Sequence, residues 1–330
     1  TTLWLWLWPL TSSLGFFGCN NKAMAMTSTT TGDSLRGVYR QIANKAAYET
    51  PDWPASKDFC KLLDHRPQEH GTVFAPGICT EKYQTPEFRD GHGPFGVVAL
   101  LTEEHNPAVQ PLLQPCLDCF DRFVQELVAI EPSQPLHVIP RTKVPHFCVF
   151  LVHEHPSFLS ALQVQEDVWK HVDDDTMRVL VDDLSSVMER YKNQPIQLEL
   201  DSILLTPDGA MIAGFVETTA GVYQGLKTEC TETMKRRLGR LTSRPKNLIH
   251  ATLGRILCFE DQGGNPQRQE QVQKIVRRYN DVVLPKFVQQ LNNRTWRVQH
   301  MSMMRNTVWF CEENVIYKTW DLIQTKEESP

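Results

Sequence analysis

The chain lacks a surplus of charge of either sign. Its 330 residues hold 34 Lys and Arg against 39 Asp and Glu, which gives a formal net charge of −5 at pH 7. A protein that binds along the phosphates of duplex nucleic acid needs a basic surplus. We therefore expect no bulk binding of double-stranded nucleic acid, although a local basic pocket fits the composition.

A disulfide framework is also missing. The nine cysteines are odd in number and scattered along the chain. Cys116 and Cys119 have the spacing of redox and zinc sites, but no second Cys or Cys/His pair lies at zinc-finger distance, and the two open a helical pattern. We therefore expect cysteines on a helix face and a reducing compartment.

No apolar run is long enough to predict a membrane span. Residues 3–17 are apolar but are interrupted by proline and hydroxyl residues. Residues 1–32 are interpreted as a leader in one of two ways. A secretory signal with a cleavage site at Ala23–Ala25 predicts a secretory or organellar protein. A true start at Met24 or Met26 predicts a cytoplasmic one.

Hydrophobic periodicity predicts an α+β fold beyond the leader. Residues 33–92 form an N-terminal extension with an amphipathic helix at 35–48, residues 93–322 form the main domain, and residues 323–330 form a tail. Strand patterns cover 95–102, 136–139, 144–153, 196–206, 210–217, 248–259, 295–304 and 307–310, and helical patterns cover 115–130, 166–192, 226–238 and 267–291. The order strand, helix, strand, helix occurs twice. This duplication predicts two lobes with antiparallel-rich sheets flanking a central cleft and with helices outside.

Glycine and proline mark three element boundaries in this pattern. The Asp208-Gly209 step is a strong signal for a hairpin turn between two of the strands. Gly239 follows a helical pattern and is expected to be its C-cap. Pro285 is expected to kink or break the last helix.

One strand in each half contains a histidine followed two residues later by a small polar side chain. The segments are Pro145-His146-Phe147-Cys148-Val149 and Ile249-His250-Ala251-Thr252-Leu253. Positions i and i+2 of a strand project from the same face, so each segment presents an imidazole beside a thiol or a hydroxyl. Two imidazoles that converge on one phosphorus can act as base and acid. The pair therefore predicts hydrolysis of a phosphate ester without a metal.

The segment His250-Ala251-Thr252-Leu253-Gly254-Arg255 resembles the second His-x-Thr motif of the two-histidine (2H) phosphoesterase superfamily, the RNA ligase/cyclic nucleotide phosphodiesterase-like proteins. The resemblance covers roughly residues 93–322. In that family two such motifs, one per lobe, act on 2′,3′-cyclic or related phosphate esters of RNA and nucleotides. It implies a metal-independent phosphodiesterase with His146 and His250 as catalytic residues, no cofactor, and a nucleotide or RNA-end cyclic phosphate as the substrate. We also expect a monomer.

The first motif departs from the family pattern, because Cys148 stands where a Ser or Thr is expected. A thiol donates only a weak hydrogen bond. Cys148, Thr252 and Arg255 are the predicted phosphate-binding residues, and Arg141 and Lys143 lie near the first motif. The departure leaves a second hypothesis open, in which the fold binds nucleotides or RNA ends without turning them over.

Two further clusters carry weaker signals. His153 and His155 could hold zinc in a hydrolase, but they lack the helical His-Glu-x-x-His spacing and Pro156 ends the strand there, so a surface cluster is the preferred interpretation. Residues 173–175 are three aspartates within a helical pattern. We interpret them as a solvated face or a helix break.

Overall fold

The computed structural model describes residues 32–54, 73–74, 95–130, 136–138, 146–151, 172–239, 248–256, 266–306 and 314–323. The predicted leader up to residue 31, Arg141, Lys143 and the pair His153 and His155 lie outside these residues. Within them, none of the helices combines the length and the apolar character that a membrane crossing requires.

Helices and strands alternate in the described residues, which confirms the α+β prediction. The strands are β1 Val73–Phe74, β2 Phe95–Leu100, β3 Leu136–Val138, β4 His146–Leu151, β5 Gln197–Leu205, β6 Ala210–Glu217, β7 Ile249–Ile256, β8 Thr295–Arg297, β9 His300–Asn306 and β10 Asn314–Asp321. The helices are α1 Gly32–Tyr48, α2 Gln110–Ile130, α3 Asp174–Tyr191, α4 Val222–Leu238, α5 Pro266–Arg278 and α6 Leu284–Gln290. A 3₁₀ turn, Pro107–Val109, precedes α2, and a π turn, Tyr279–Val283, joins α5 to α6.

These strands form one sheet in the order β10-β9-β2-β4-β7-β6-β5-β8, with β3 beside β7 and β1 beside β3. The pairs along this order are antiparallel, and the short β1–β3 pair is parallel. The eight strands of this order therefore divide into two halves of four. They meet at β4 and β7, the strands that carry the two histidine motifs.

The two ends of the sheet approach each other. Strand β8 lies at one end of the strand order and β9 is second from the other end, yet only residues 298 and 299 separate them in the chain. The Val298 amide donates to the Ile196 carbonyl oxygen at 2.9 Å, and Asn106 Oδ1 accepts from the Gln299 amide at 2.8 Å. The sheet is therefore curled.

This curl corrects one strand prediction. The stretch 295–304, predicted as one strand, is divided into β8, which pairs with β5, and β9, which pairs with β2 and β10. Its predicted partner at 307–310 lies outside the described residues. The partner that the structure shows for β9 on that side is β10.

Helices cover the two halves in separate groups. Helices α3 and α4 pack on each other, with α3 against β10 and α4 against β4. Helix α2 contacts β7 and α5, and α1 lies along β5 and β6. Apolar side chains such as Phe123, Leu184 and Leu226 are buried in these contacts.

Three helix ends follow from local chemistry. Asp173 is the N-cap of α3, and its Oδ1 accepts from the Thr176 amide at 2.7 Å, so the aspartate trio begins a helix. Gly239 ends α4 with a φ of +80°, as predicted for a C-cap. The last helix is interrupted by the π turn before Pro285, which lies in the first turn of α6, where a missing amide hydrogen costs no helical hydrogen bond.

Candidate active site

The two histidine motifs lie on neighbouring strands. Phe147 of β4 and Ala251 of β7 are antiparallel partners. Continuing this register by one residue in each direction places His146 opposite Thr252 and Cys148 opposite His250. The four motif positions therefore form a two-by-two block, which we call the motif block, on one face of the sheet.

Burial along β7 shows which face carries the motif block. Ala251 and Leu253 are fully buried, whereas His250 and Thr252 are half-buried. The core therefore lies behind Ala251 and Leu253. The Nδ1 atom of His250 is itself buried, so the ring is set into the sheet surface.

Apolar residues flank the motif block on the β2 side. Leu100 pairs with His146, and Val98 pairs with Cys148. Val98 and Leu100 form a small buried cluster with Met304, separate from the main core. An apolar border of this kind lowers the local dielectric and strengthens electrostatic contacts with a bound ligand.

A β-bulge in β7 changes which residues face the motif block. Ile212 of β6 pairs with Thr252, but the next partner pair is Met211 with Gly254, so Leu253 is an extra residue. The extra residue shifts the alternation of side chains by one. Arg255 is partly exposed, as His250 and Thr252 are, while Leu253 and Gly254 are buried. The bulge thus returns Arg255 to the face of the motif block.

Arg255 is held by the turn between β5 and β6. It forms an ion pair with Asp208, its Nη1 donates to the Asp208 carbonyl oxygen at 3.1 Å, and its side chain is 12% exposed. Burial raises the pKa of Asp208, but the Arg255 charge and hydrogen bonds from Thr206 and Arg255 outweigh this effect and hold that pKa below its ordinary value. The predicted role of Arg255 as a phosphate ligand stays a prediction, and any such contact would be shared with Asp208.

Sequence reasoning missed Tyr39 of α1. Its hydroxyl donates to the carbonyl oxygens of Phe215 at 2.9 Å and Ile249 at 2.7 Å, and burial raises its pKa. These carbonyls belong to β6 and to the residue just before His250. The sequence feature that indicates this contact is Gly214, because a glycine inside a strand often marks the close approach of another group.

Lys227 of α4 is a second group that the sequence did not reveal. Its side chain is buried, and burial lowers its pKa to about 8. Helix α4 contacts β4, the strand that carries the first motif. Lysine is almost never fully buried, so a buried lysine is an unusual feature of α4.

The described ranges contain no group of three or more His, Cys, Asp or Glu side chains that could hold a metal ion. Cys116 and Cys119 are buried free thiols on α2, as predicted for helix-face cysteines. Burial raises the pKa of Cys116 to about 12, which opposes formation of a reactive thiolate. The zinc hypothesis for His153 and His155 concerns residues outside the described ranges.

No family model matches the chain, and no curated protein matches it. The solved structure of Usb1 from Kluyveromyces marxianus superposes with a TM-score of 0.41 at 7% sequence identity, covering 69% of this chain and 98% of that chain. This likeness assigns no function to the chain.

Proposed function

We propose that the chain is a metal-independent phosphodiesterase that acts on a cyclic phosphate ester of RNA or of a nucleotide. The observation that supports this proposal is the Phe147 and Ala251 register. In the motif block, His146 and His250 occupy one diagonal, and Cys148 and Thr252 occupy the other. Diagonal positions on neighbouring antiparallel strands lie about 7–8 Å apart, which leaves room for a phosphate group between two imidazoles.

This diagonal suits an in-line displacement at phosphorus. One histidine is neutral and takes a proton from water while the water oxygen forms a new bond to phosphorus. The other histidine is protonated and donates its proton to the ribose oxygen as the old phosphorus–oxygen bond breaks. The product is a phosphomonoester beside a free hydroxyl group. Cys148 and Thr252 bind the oxygens that do not react.

The surroundings of the motif block support this chemistry. Val98, Leu100 and Met304 exclude water on one side, so a proton transfer between histidine and substrate competes less with bulk solvent. On the other side, Arg255 follows Thr252 on the same face of β7, and its guanidinium is held by Asp208. A fixed cation near the phosphate favours the charge that develops on its oxygens.

Hydrolysis of the four nucleoside 2′,3′-cyclic phosphates in EDTA tests the proposal. We expect turnover by the wild-type protein and a loss of about 10²- to 10⁴-fold in His146→Ala and in His250→Ala, since this is what one positioned acid or base contributes. His300→Ala is the control, because the His300 ring pairs with Asp321 and β2 separates its strand, β9, from β4. A His250→Ala protein with near-normal turnover would refute the mechanism. The position of the product phosphate identifies the leaving oxygen.

A second candidate function is binding without turnover. The observation that favours it is Cys148, whose thiol is a weaker donor than the expected hydroxyl. It predicts saturable binding of a cyclic nucleotide with no product after long incubation. Calorimetric titration followed by chromatography of the recovered ligand separates this function from catalysis.

A further inference from the structure

Helix α1 lies on the same face of the sheet as the motif block. Gly214 of β6 is the partner of His250, so a side chain at either position would project from the same face. A Cβ atom placed on Gly214 would lie 2.8 Å from the ring of Tyr39. The Tyr39 ring therefore occupies the space beside His250 that a side chain at position 214 would fill.

The hydroxyl of Tyr39 binds the backbone that carries His250. It donates to the Ile249 carbonyl oxygen at 2.7 Å and to the Phe215 carbonyl oxygen at 2.9 Å, and it accepts from the Ile249 amide at 3.3 Å. Phe215 and Ile249 are partners, and the next pair along the two strands is Gly214 with His250. One buried hydroxyl thus links β6 to β7 directly next to the histidine.

Other contacts hold α1 in place independently of this hydroxyl. Arg36 Nε donates to Asp201 Oδ1 at 2.8 Å, and its Nη2 lies 3.7 Å from Glu199 Oε2 on the same strand. Leu35 and Ile42 are buried as well. The helix therefore has attachments besides the Tyr39 hydroxyl, and we expect it to stay in place when the hydroxyl is removed.

We infer that Tyr39 is a positioning residue for His250 and that α1 forms one wall of the substrate cleft. The kinetic part of this inference rests on the proposed function. The ring of Tyr39 limits the space beside His250 on the β6 side, and its hydroxyl fixes the backbone at Ile249. The imidazole is thereby restricted to the orientation in which it reaches the phosphate.

Tyr39→Phe tests the inference, with Tyr191→Phe as the matched control. Tyr191 is also a buried tyrosine, and its hydroxyl donates to Glu229 Oε1 at 2.9 Å between α3 and α4. We expect kcat of Tyr39→Phe to fall by about 10- to 100-fold with little change in KM, because a displacement of about 1 Å costs roughly 100-fold in rate. The control should keep the wild-type kcat.

Nuclear magnetic resonance of the histidine rings gives a readout that does not need activity. The His250 signals are assigned by their loss in His250→Ala and are followed from pH 5 to 9. We expect the His250 chemical shifts and apparent pKa to change in Tyr39→Phe and to stay as in wild type in Tyr191→Phe. Gly214→Ala, which pushes against the Tyr39 ring, should change them in the same way.

The two measurements separate this inference from the proposed function. His250 signals that are unchanged in Tyr39→Phe overturn the positioning role, whatever the kinetics show. If the His250 signals change in Tyr39→Phe but the wild-type protein shows no turnover, the positioning role is supported and the proposed phosphodiesterase activity is refuted. A loss of thermal stability without a change at His250 assigns Tyr39 a purely structural role and also overturns the inference.

Discussion

Phe147 and Ala251 lie directly opposite each other on β4 and β7, and this pair sets the positions of both histidine motifs. Ala251 is fully buried, so the pair belongs to the core side of the sheet. A shift of one residue between the strands would turn His250 into the core and bring Ala251 to the cleft. The burial of Ala251 therefore stabilises the register on which the proposed chemistry depends.

The residue at position 148 should limit the activity. Cys148→Ser replaces a weak thiol donor by a hydroxyl, and we expect kcat/KM for a nucleoside 2′,3′-cyclic phosphate to rise about tenfold. A hydrogen bond to a charged group contributes roughly 1.5–3 kcal/mol, and about 1.4 kcal/mol corresponds to a factor of ten. Steady-state kinetics at pH 7 in EDTA measures the change.

Cys148→Ala is the control for this prediction, because it removes the donor without adding a hydroxyl. We expect it to lower kcat/KM or leave it as in wild type. If Cys148→Ser and Cys148→Ala have the same kcat/KM, position 148 does not bind the phosphate.

The Arg255 and Asp208 pair should make stability depend on pH. The pKa of Asp208 is lowered in the folded state, so its stabilising effect is fully present above the unfolded value of about 3.9 and is lost as pH falls through the lower folded value. We expect Asp208→Asn to reduce the free energy of unfolding by about 2–3 kcal/mol at pH 5–7, because it leaves a largely buried Arg255 without its counter-charge. Urea denaturation at pH 7, 5 and 3.5 measures this.

The difference between Asp208→Asn and wild type should shrink below about pH 4. Asp182→Asn is the control, since Asp182 is an exposed carboxylate on α3, and it should change stability by less than about 0.5 kcal/mol. A difference for Asp208→Asn that persists unchanged at pH 3.5 would contradict the assigned role of the carboxylate charge.

Two glycines should respond in opposite ways to alanine. A Cβ on Gly254 would lie 2.2 Å from the Phe120 ring, whereas a Cβ on Gly37 of α1 meets no atom within 4 Å. We expect Gly254→Ala to destabilise the fold by about 1–3 kcal/mol through overpacking. Gly37→Ala should stabilise it by up to about 1 kcal/mol, because alanine is the better helix former.

Urea denaturation of the two glycine variants gives the change in the free energy of unfolding for each. Phe120→Leu tests whether overpacking against the Phe120 ring causes the loss in Gly254→Ala. In the Phe120→Leu background, Gly254→Ala should lower the free energy of unfolding by less, since the smaller side chain at position 120 leaves room for a methyl group. An equal cost in both backgrounds would show that α2 does not press on the bulge of β7.

Sequence periodicity predicted the elements whose signals are local. The strand at 210–217 was predicted with the bounds that the structure shows, and α1 was predicted at 35–48 against Gly32–Tyr48. The Asp208-Gly209 hairpin and the Gly239 cap follow from backbone preferences of single residues. In these segments, local preference and tertiary packing favour the same structure.

Other features depend on contacts between distant residues. The division of 295–304 into β8 and β9 follows from the curl of the whole sheet, and no residue between them signals a break. The proximity of the motifs follows from the pairing of β4 with β7, which no local pattern encodes. Tyr39 was missed for the same reason, since α1 meets β6 more than 170 residues further along the chain.

Residues 298 and 299 connect the two ends of the sheet, and this has a mechanical consequence. The halves are joined in the centre by β4 and β7 and again by this short link, which connects β8 at one outer end to β9, the strand next to the other end. A sheet whose halves are joined at two places resists a hinge motion that would separate them. On the proposed function, the spacing between positions 146 and 250 is therefore set when the chain folds, so a cyclic phosphate ester must fit a pre-formed opening.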